Sequence, residues 1–142
     1  MKVSARNVWT GKVSAVKQGA VNAEVELTLP GGHRIVSIIT IGSLVKLGLA
    51  VGSEAIALVK APLVILAQET AGIKFSTRNV LEGTIRHITD GAVNAEVTVE
   101  LAGGTQVSAI VTEQSIAGMG LKVGDKASAL FKASSVILAV KA

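Results

Sequence analysis

The chain has 142 residues, 49% of them hydrophobic and only 17% charged, with 14 Lys and Arg against 10 Asp and Glu. The absence of cysteine excludes disulfides, thiolate catalysis and cysteine metal sites, and an aromatic content of 2% leaves few platforms on which nucleic-acid bases could stack. A net charge of +4 favours an anionic ligand only weakly, and the longest uncharged apolar stretch, Ala61 to Ala67, falls far short of the roughly 20 residues that a bilayer span requires.

From Val8 to Val16 the chain is rich in β-branched residues, which favour a strand. After the Gln18-Gly19 turn, Val21, Ala23, Val25, Leu27 and Leu29 alternate with Asn22, Glu24, Glu26 and Thr28, the period of a half-buried strand. Gly19, like Gly91 further on, reads as a turn glycine of positive φ. Pro30-Gly31-Gly32 predicts a hairpin turn and His33 to Thr40 a third strand. The Thr40 hydroxyl is placed to cap a helix that runs to Leu47 and stops at Gly48. Val51-Gly52 makes a turn, Glu54 to Val59 a fourth strand and Leu63 to Ala67 a fifth. Three strands, a short helix and two strands is the order of a five-stranded OB-type barrel.

The same text then returns. Ser4 to Ser76 and Gly19 to Gly91 are the same step of 72 residues, and Gly19-Ala20-Val21-Asn22-Ala23-Glu24-Val25 recurs unchanged from Gly91 to Val97. Between Ala67 and Ala139 the register still holds without a gap, with 31 of 64 aligned pairs identical. The expected fold is mainly β, with two tandem OB-like five-stranded barrels, each carrying a short helix between its third and fourth strands. The first barrel is expected at 1–68, a link at 69–75 and the second barrel at 76–142. Units of about 70 residues are near the lower limit for an independent core. A mean hydropathy of +0.57 adds apolar surface to spare, so subunit interfaces are expected.

Four pieces recur in both halves: a Ser-x-Arg-Asn opening, the Gly-Ala-Val-Asn-Ala-Glu-Val hairpin, a Thr-x-x-Ser helix start and a Lys-Ala pair before the last strand. Ser4 and Arg6 lie two apart, so an extended backbone projects them on one face, as it does Ser76 and Arg78. Thr40 with Ser43, and Thr112 with Ser115, bring hydroxyls to a helix start. Singly, each piece has an ordinary structural explanation as a cap, a turn or a solvated cation. Together they supply hydroxyls, amides, Arg and Lys, the donors that a fully deprotonated oxyanion requires, and carboxylates are expected to be kept away. Phosphate would be rejected for want of an acceptor for its proton.

These motifs, with the Gly-Leu-x-Val-Gly turn and the Lys-Ala-Ser-Ser-Val-Ile-Leu ending, resemble the molybdate-binding Mop domain, and two in tandem resemble a di-Mop molbindin. The resemblance covers almost the whole chain. It implies a cytoplasmic homotrimer that stores or buffers molybdate, and tungstate with it, at interfaces between barrels. Carried over by residue, one oxyanion set is Ser4, Arg6, Asn7, Lys60 and Ala61, with Thr40 and Ser43 from an adjoining barrel. The other is Ser76, Arg78, Asn79, Lys132, Ala133 and Ser134, with Thr112 and Ser115. Axial oxyanion positions are implied at Ala20, Val21 and Asn22, and at Ala92, Val93 and Asn94. One departure stands out: Pro62 occupies the place of Ser134, removing a hydroxyl and an N–H, so weaker or differently shaped binding is expected in the first set, with Glu113 of the second set, opposite Ile41, as a nearby negative charge that works against the difference.

Other functions fit less well. A nucleic-acid-binding OB module would need stacking aromatics, and the chain offers only Trp9, Phe75 and Phe131. His33 and His87 are at unmatched positions and no catalytic pattern repeats, so no enzyme and no cationic metal site are expected. Met1 to Arg6 lacks the apolar core of a secretory signal, consistent with the cytoplasm and no membrane partner. The strongest alternative is a molybdate-sensing regulatory or adaptor module acting through a protein partner, against which stands the lack of an output domain in this sequence.

Overall fold

The structure, a computed structural model, describes all 142 residues. The first repeat forms β1 (Asn7–Gln18), β2 (Asn22–Thr28), β3 (Arg34–Thr40), α1 (Ile41–Leu47), β4 (Glu54–Val59), a 3-10 turn (Ala61–Leu63) and β5 (Ile65–Ala67). The second forms β6 (Asn79–Thr89), β7 (Asn94–Leu101), β8 (Gln106–Thr112), α2 (Glu113–Met119), β9 (Lys126–Phe131), a 3-10 turn (Ala133–Ser135) and β10 (Ile137–Ala139).

Local chemistry accounts for most of these limits. Ala23, Val25, Leu27 and Leu29 are buried as their alternation demands, whereas Val21 is 71% exposed because it precedes β2 and lies in the hairpin loop. Thr40 caps α1 by accepting from the Ser43 N–H at 3.1 Å, and the helix ends at Gly48 with φ 62°. Thr112 and Gly120 do the same for α2. Gly19 and Gly91 do not adopt positive φ. Gly19 is needed for close approach instead: its N–H donates to the Asn22 carbonyl at 2.8 Å, and a Cβ there would stand 3.2 Å from that oxygen.

The sheets do not follow the repeat boundaries. One has the order β10-β4-β1-β2-β3 and the other β5-β9-β6-β7-β8, all antiparallel. The 3-10 turn after β4 carries the chain across, so β5 pairs with β9 (Ile65↔Leu130, Ala67↔Ser128) while β10 returns to β4 (Ile137↔Leu58, Ala139↔Ile56). The repeats are thus units of sequence, whereas each sheet draws its short closing strand from the other repeat. Leu66 and Leu138 are buried in the exchanged positions. Between β3 and β10 there is contact without a ladder, and the Ser37 hydroxyl bridges the gap by donating to the Val136 carbonyl at 2.8 Å.

Exchange merges the two interiors. One apolar cluster contains residues of both repeats, with Trp9 stacked on Phe131 at a centroid distance of 5.8 Å. The Trp9 indole N–H donates to the Gln106 carbonyl at 3.0 Å, so the ring is buried with its polar atom satisfied.

In each repeat the long first strand passes close to the second. A Cβ on Gly11 would lie 2.7 Å from the Thr28 carbonyl oxygen, and one on Gly83 would run into the Glu100 carbonyl and the Val99 side chain. Gly83→Ala is therefore expected to cost about 1–3 kcal/mol of stability through overpacking, read as a lower denaturant midpoint with an unchanged slope. An unchanged midpoint would mean that β6 and β7 separate there without cost.

Candidate functional site

The registers decide which motifs meet. Asn79 pairs with Phe131 at the end of the β6–β9 ladder, so the residues just before Asn79 and just after Phe131 emerge side by side. Ser76, Arg78, Lys132, Ala133 and Ser134 consequently line one open cavity of about 280 Å³. The opposite wall comes from the first repeat, through Glu24 on β2 and Val36 and Ile38 on β3. The Asn7↔Val59 pairing likewise brings the segment before Asn7 beside Lys60 and Ala61.

Asn7 and Asn79 have a defined structural task. Asn79 is fully buried; its Oδ1 accepts from the Val36 N–H at 2.8 Å and its Nδ2 donates to the Val36 carbonyl at 2.7 Å. Asn7 holds Ser108 in the same way, at 2.7 and 2.8 Å. Val36 and Ser108 are equivalent positions on the outer strands β3 and β8, whose backbone groups lack a ladder partner on that side. Each asparagine thus clamps its own repeat to the other.

The arginines also reach across. Arg78 forms an ion pair with Glu24 and approaches Glu26 at 3.6 Å, while Arg6 Nη1 lies 3.0 Å from Glu96 Oε2. The Ser-x-Arg-Asn opening of each repeat therefore docks on the hairpin strand of the other, and this explains why the two motifs recur together. It also corrects two expectations: carboxylates are not kept away, and the cavity wall carries an acceptor, Glu24. In the sequence Glu24 and Glu96 read equally as the polar face of a strand or as bridges between subunits; their signal is recurrence within an unchanged seven-residue motif.

The remaining candidates are distributed as follows. Ser4, Arg6 and Lys60 are exposed and Ala61 is buried. The cavity beside Arg6 is formed with Trp9, Thr10, Pro30 and Gln106 and does not include Lys60. Thr40 donates to the Ser43 hydroxyl at 2.9 Å and Thr112 to Ser115 at 2.8 Å. Thr112 and Ser115 do not line the Arg78 cavity; they share a separate, more apolar one with Pro62 from the first repeat. The exposed segments Ala20–Asn22 and Ala92–Asn94 are tied to the helix starts, Ile41 N–H donating to Val21 and Glu113 N–H to Val93.

Here the two repeats differ in charge. Glu113 accepts from the Gly91 N–H at 3.2 Å, where the first repeat has Ile41. Its carboxyl pKa is raised from the ordinary value, first because it is partly withdrawn from water and then because it shares a hydrogen bond with Asp90, whose charge adds to the effect; the Gly91 amide opposes the shift. The second hairpin thus carries an acidic pair that the first lacks. No group of three or more His, Cys, Asp or Glu is placed to hold a metal ion, and no helix is long and apolar enough to cross a membrane.

Comparison with known proteins falls on the same two stretches. Residues 3–66 and 76–138 each match the TOBE domain. The chain is 52% identical to the cytoplasmic molybdate-binding protein ModG in a crystal form with molybdate bound, with a TM-score of 0.96 over 99% of this chain and 100% of that one. It is 44% identical over 140 residues to the molybdenum-pterin-binding protein MopA of Rhodobacter capsulatus, spanning 99% of this chain and 53% of MopA. It is 36% identical over 140 residues to the DNA-binding transcriptional dual regulator ModE of Escherichia coli, spanning 98% of this chain and 52% of ModE. The chain spans about half the length of these curated relatives. With both repeats matched and the motifs of each interlocked with the other, the chain belongs to the TOBE-domain family as a tandem pair of the Mop type.

Proposed function

We propose that this protein binds molybdate, and tungstate of the same shape and charge, in the cytoplasm for molybdenum storage and homeostasis, and that it is a binding protein rather than an enzyme. The observation that carries the reading is the convergence of Ser76, Arg78, Lys132 and Ser134 on one cavity, in a chain alike from end to end to a protein described with molybdate bound. Hydroxyl, guanidinium and ammonium donors suit an anion that offers only acceptors, and each charge-assisted bond contributes roughly 1.5–3 kcal/mol.

The assembly is a homotrimer in this proposal. Exposed apolar side chains recur in matched pairs, Val21 with Val93 at 71% each and Ile65 with Ile137 at 64% each, and such surface favours burial between copies. Within it, Thr40 and Ser43, or Thr112 and Ser115, complete the sets Ser4, Arg6, Asn7, Lys60, Ala61 and Ser76, Arg78, Asn79, Lys132, Ala133, Ser134 from a neighbouring barrel. Asn7 and Asn79 act by holding the walls together. The hairpins at Ala20–Asn22 and Ala92–Asn94 supply the axial positions.

The test is native mass spectrometry in sulfate-free buffer with and without molybdate. A trimer that gains several molybdates is the expected result. A chain that takes up none at millimolar molybdate would overturn the reading. A second reading, a molybdate-sensing module acting through a partner, is favoured by the likeness to one half of the ModE regulator; it predicts a partner whose binding to this chain changes with molybdate.

A further inference from the structure

Every arginine assigned to an oxyanion set is already held by a glutamate from the opposite repeat. Arg78 is paired with Glu24, which also lines the cavity, and Arg6 is paired with Glu96 at 3.0 Å. The pairing repeats at the same offset of 72 residues in both halves, so it belongs to the architecture rather than to one surface. Glu26 is the more distant carboxylate at 3.6 Å from Arg78; it is already shared with Arg34 at 3.4 Å and with the Ser14 hydroxyl at 3.2 Å. Glu96 Oε2 is shielded from water and lacks a well-aligned donor despite its ion pair, so that carboxylate is incompletely satisfied where it stands.

We infer that Glu24 and Glu96 are the affinity-setting residues of the two oxyanion sets: each competes with the bound oxyanion for the guanidinium of its set and thereby favours release. The inference rests on the oxyanion reading above. In the cavity, Arg78 and Lys132 bring two positive charges and Glu24 removes one. A tetrahedral dianion entering there meets a carboxylate that repels it and that occupies the donor it needs. Because Coulomb energy scales with the product of the charges, the penalty imposed by the carboxylate on a dianion is twice that on a monoanion of the same size. The same pair ties β2 of one repeat to the opening segment of the other, so an oxyanion that displaces the carboxylate also loosens one of the ties between repeats.

The charge scaling gives a signature that a merely structural role would not produce. The full chain carrying Glu24→Gln and Glu96→Gln together is titrated by equilibrium dialysis with molybdate and with perrhenate, its singly charged tetrahedral counterpart. Loss of one negative charge per set is expected to tighten molybdate about tenfold and perrhenate only about threefold, with the number of sites unchanged. Weaker binding of both ions would show that the glutamates position the arginines, and unchanged binding of both would show that they do not oppose the anion; either outcome overturns the inference. The single variants Glu24→Gln and Glu96→Gln repeat the test on one set at a time if the double variant fails to fold. Wild-type protein that binds neither ion brings down the oxyanion reading itself. Wild-type protein that binds molybdate, loses it on Arg78→Ala with Arg6→Ala, and is indifferent to Glu24→Gln and Glu96→Gln leaves that reading standing and removes only the inference.

Discussion

Asn79→Ala is expected to be the most destabilising single polar substitution in the chain, at about 3–5 kcal/mol. Val36 turns both its N–H and its carbonyl away from β2, toward the open edge of the sheet, and Asn79 satisfies both at 2.8 and 2.7 Å. Val36 is 5% exposed and Asn79 is fully buried, so water cannot readily take over when the amide is removed. Each buried group left without a partner costs roughly 1–3 kcal/mol, and the truncated side chain leaves a void besides. Asn7→Ala makes the same cut at Ser108, which is only half-buried, and solvent can replace part of what is lost; about 1–3 kcal/mol is expected there. Urea unfolding of the two variants checks both the size and the order. Losses below about 1 kcal/mol at both positions would show that the exchanged strands and the apolar cluster join the repeats without help from the asparagine clamps.

What could be read before the structure, and what could not, separates local from long-range chemistry. The limits of α1 were written in Thr40, Ser43 and Gly48, because a cap and a left-handed terminus are set within a few residues. The alternation of β2 was equally plain, apart from Val21, which the hairpin holds outside the strand. The exchange of closing strands had no comparable signal. Ile65-Leu66-Ala67 and Ile137-Leu138-Ala139 are the same tripeptide, so either serves β4 or β9 equally well, and only the direction taken after the 3-10 turn decides between them. The shared interior was hidden for a related reason: Trp9 stands where the second repeat has Leu81, and Phe131 where the first has Val59. Those two mismatches become one stacked pair only once the repeats are interlocked.

The candidate site shows the same division. The donors Ser76, Arg78, Lys132 and Ser134 could be named because each belongs to a motif that recurs. That five of the eight residues of the second set line one cavity follows from the Asn79↔Phe131 register, which no local pattern announces. Glu24 stands out by recurrence but not by partner, because a glutamate alternating with apolar residues reads as a solvated strand face as readily as a bridge, and Arg78 lies 54 positions away in the other repeat.

Arg6→Ala with Arg78→Ala is expected to weaken molybdate binding at the interfacial sets by roughly a hundredfold or more while the protein stays folded. The first half of that statement follows from charge. Loss of a charge-assisted donor costs roughly 1.5–3 kcal/mol, and here it also leaves Glu24 and Glu96 beside the anion without their counterions. The second half follows from exposure. The arginine side chains are 62% and 58% exposed, and ion pairs of that kind contribute about 0–1 kcal/mol to stability, far less than the asparagine clamps next to them. Circular dichroism and native mass should therefore match the wild type while molybdate uptake falls. The single variants divide the two sets. Arg78→Ala leaves the set that has Pro62, and Arg6→Ala leaves the set that has Ser134, so the sites surviving in Arg6→Ala should bind more tightly: Ser134 retains a hydroxyl and a backbone N–H that Pro62 lacks. Two carboxylates work in the other direction: Glu26 near Arg78, where the second repeat has Thr98, and Glu113 beside Thr112 and Ser115, where the first repeat has Ile41, but Glu26 is already shared with Arg34 and Glu113 is held by the Gly91 N–H. Equal affinities in the two single variants would show that the proline does not matter to binding. Unchanged uptake in the double variant would show that the arginines belong to the joint between the repeats and not to the anion.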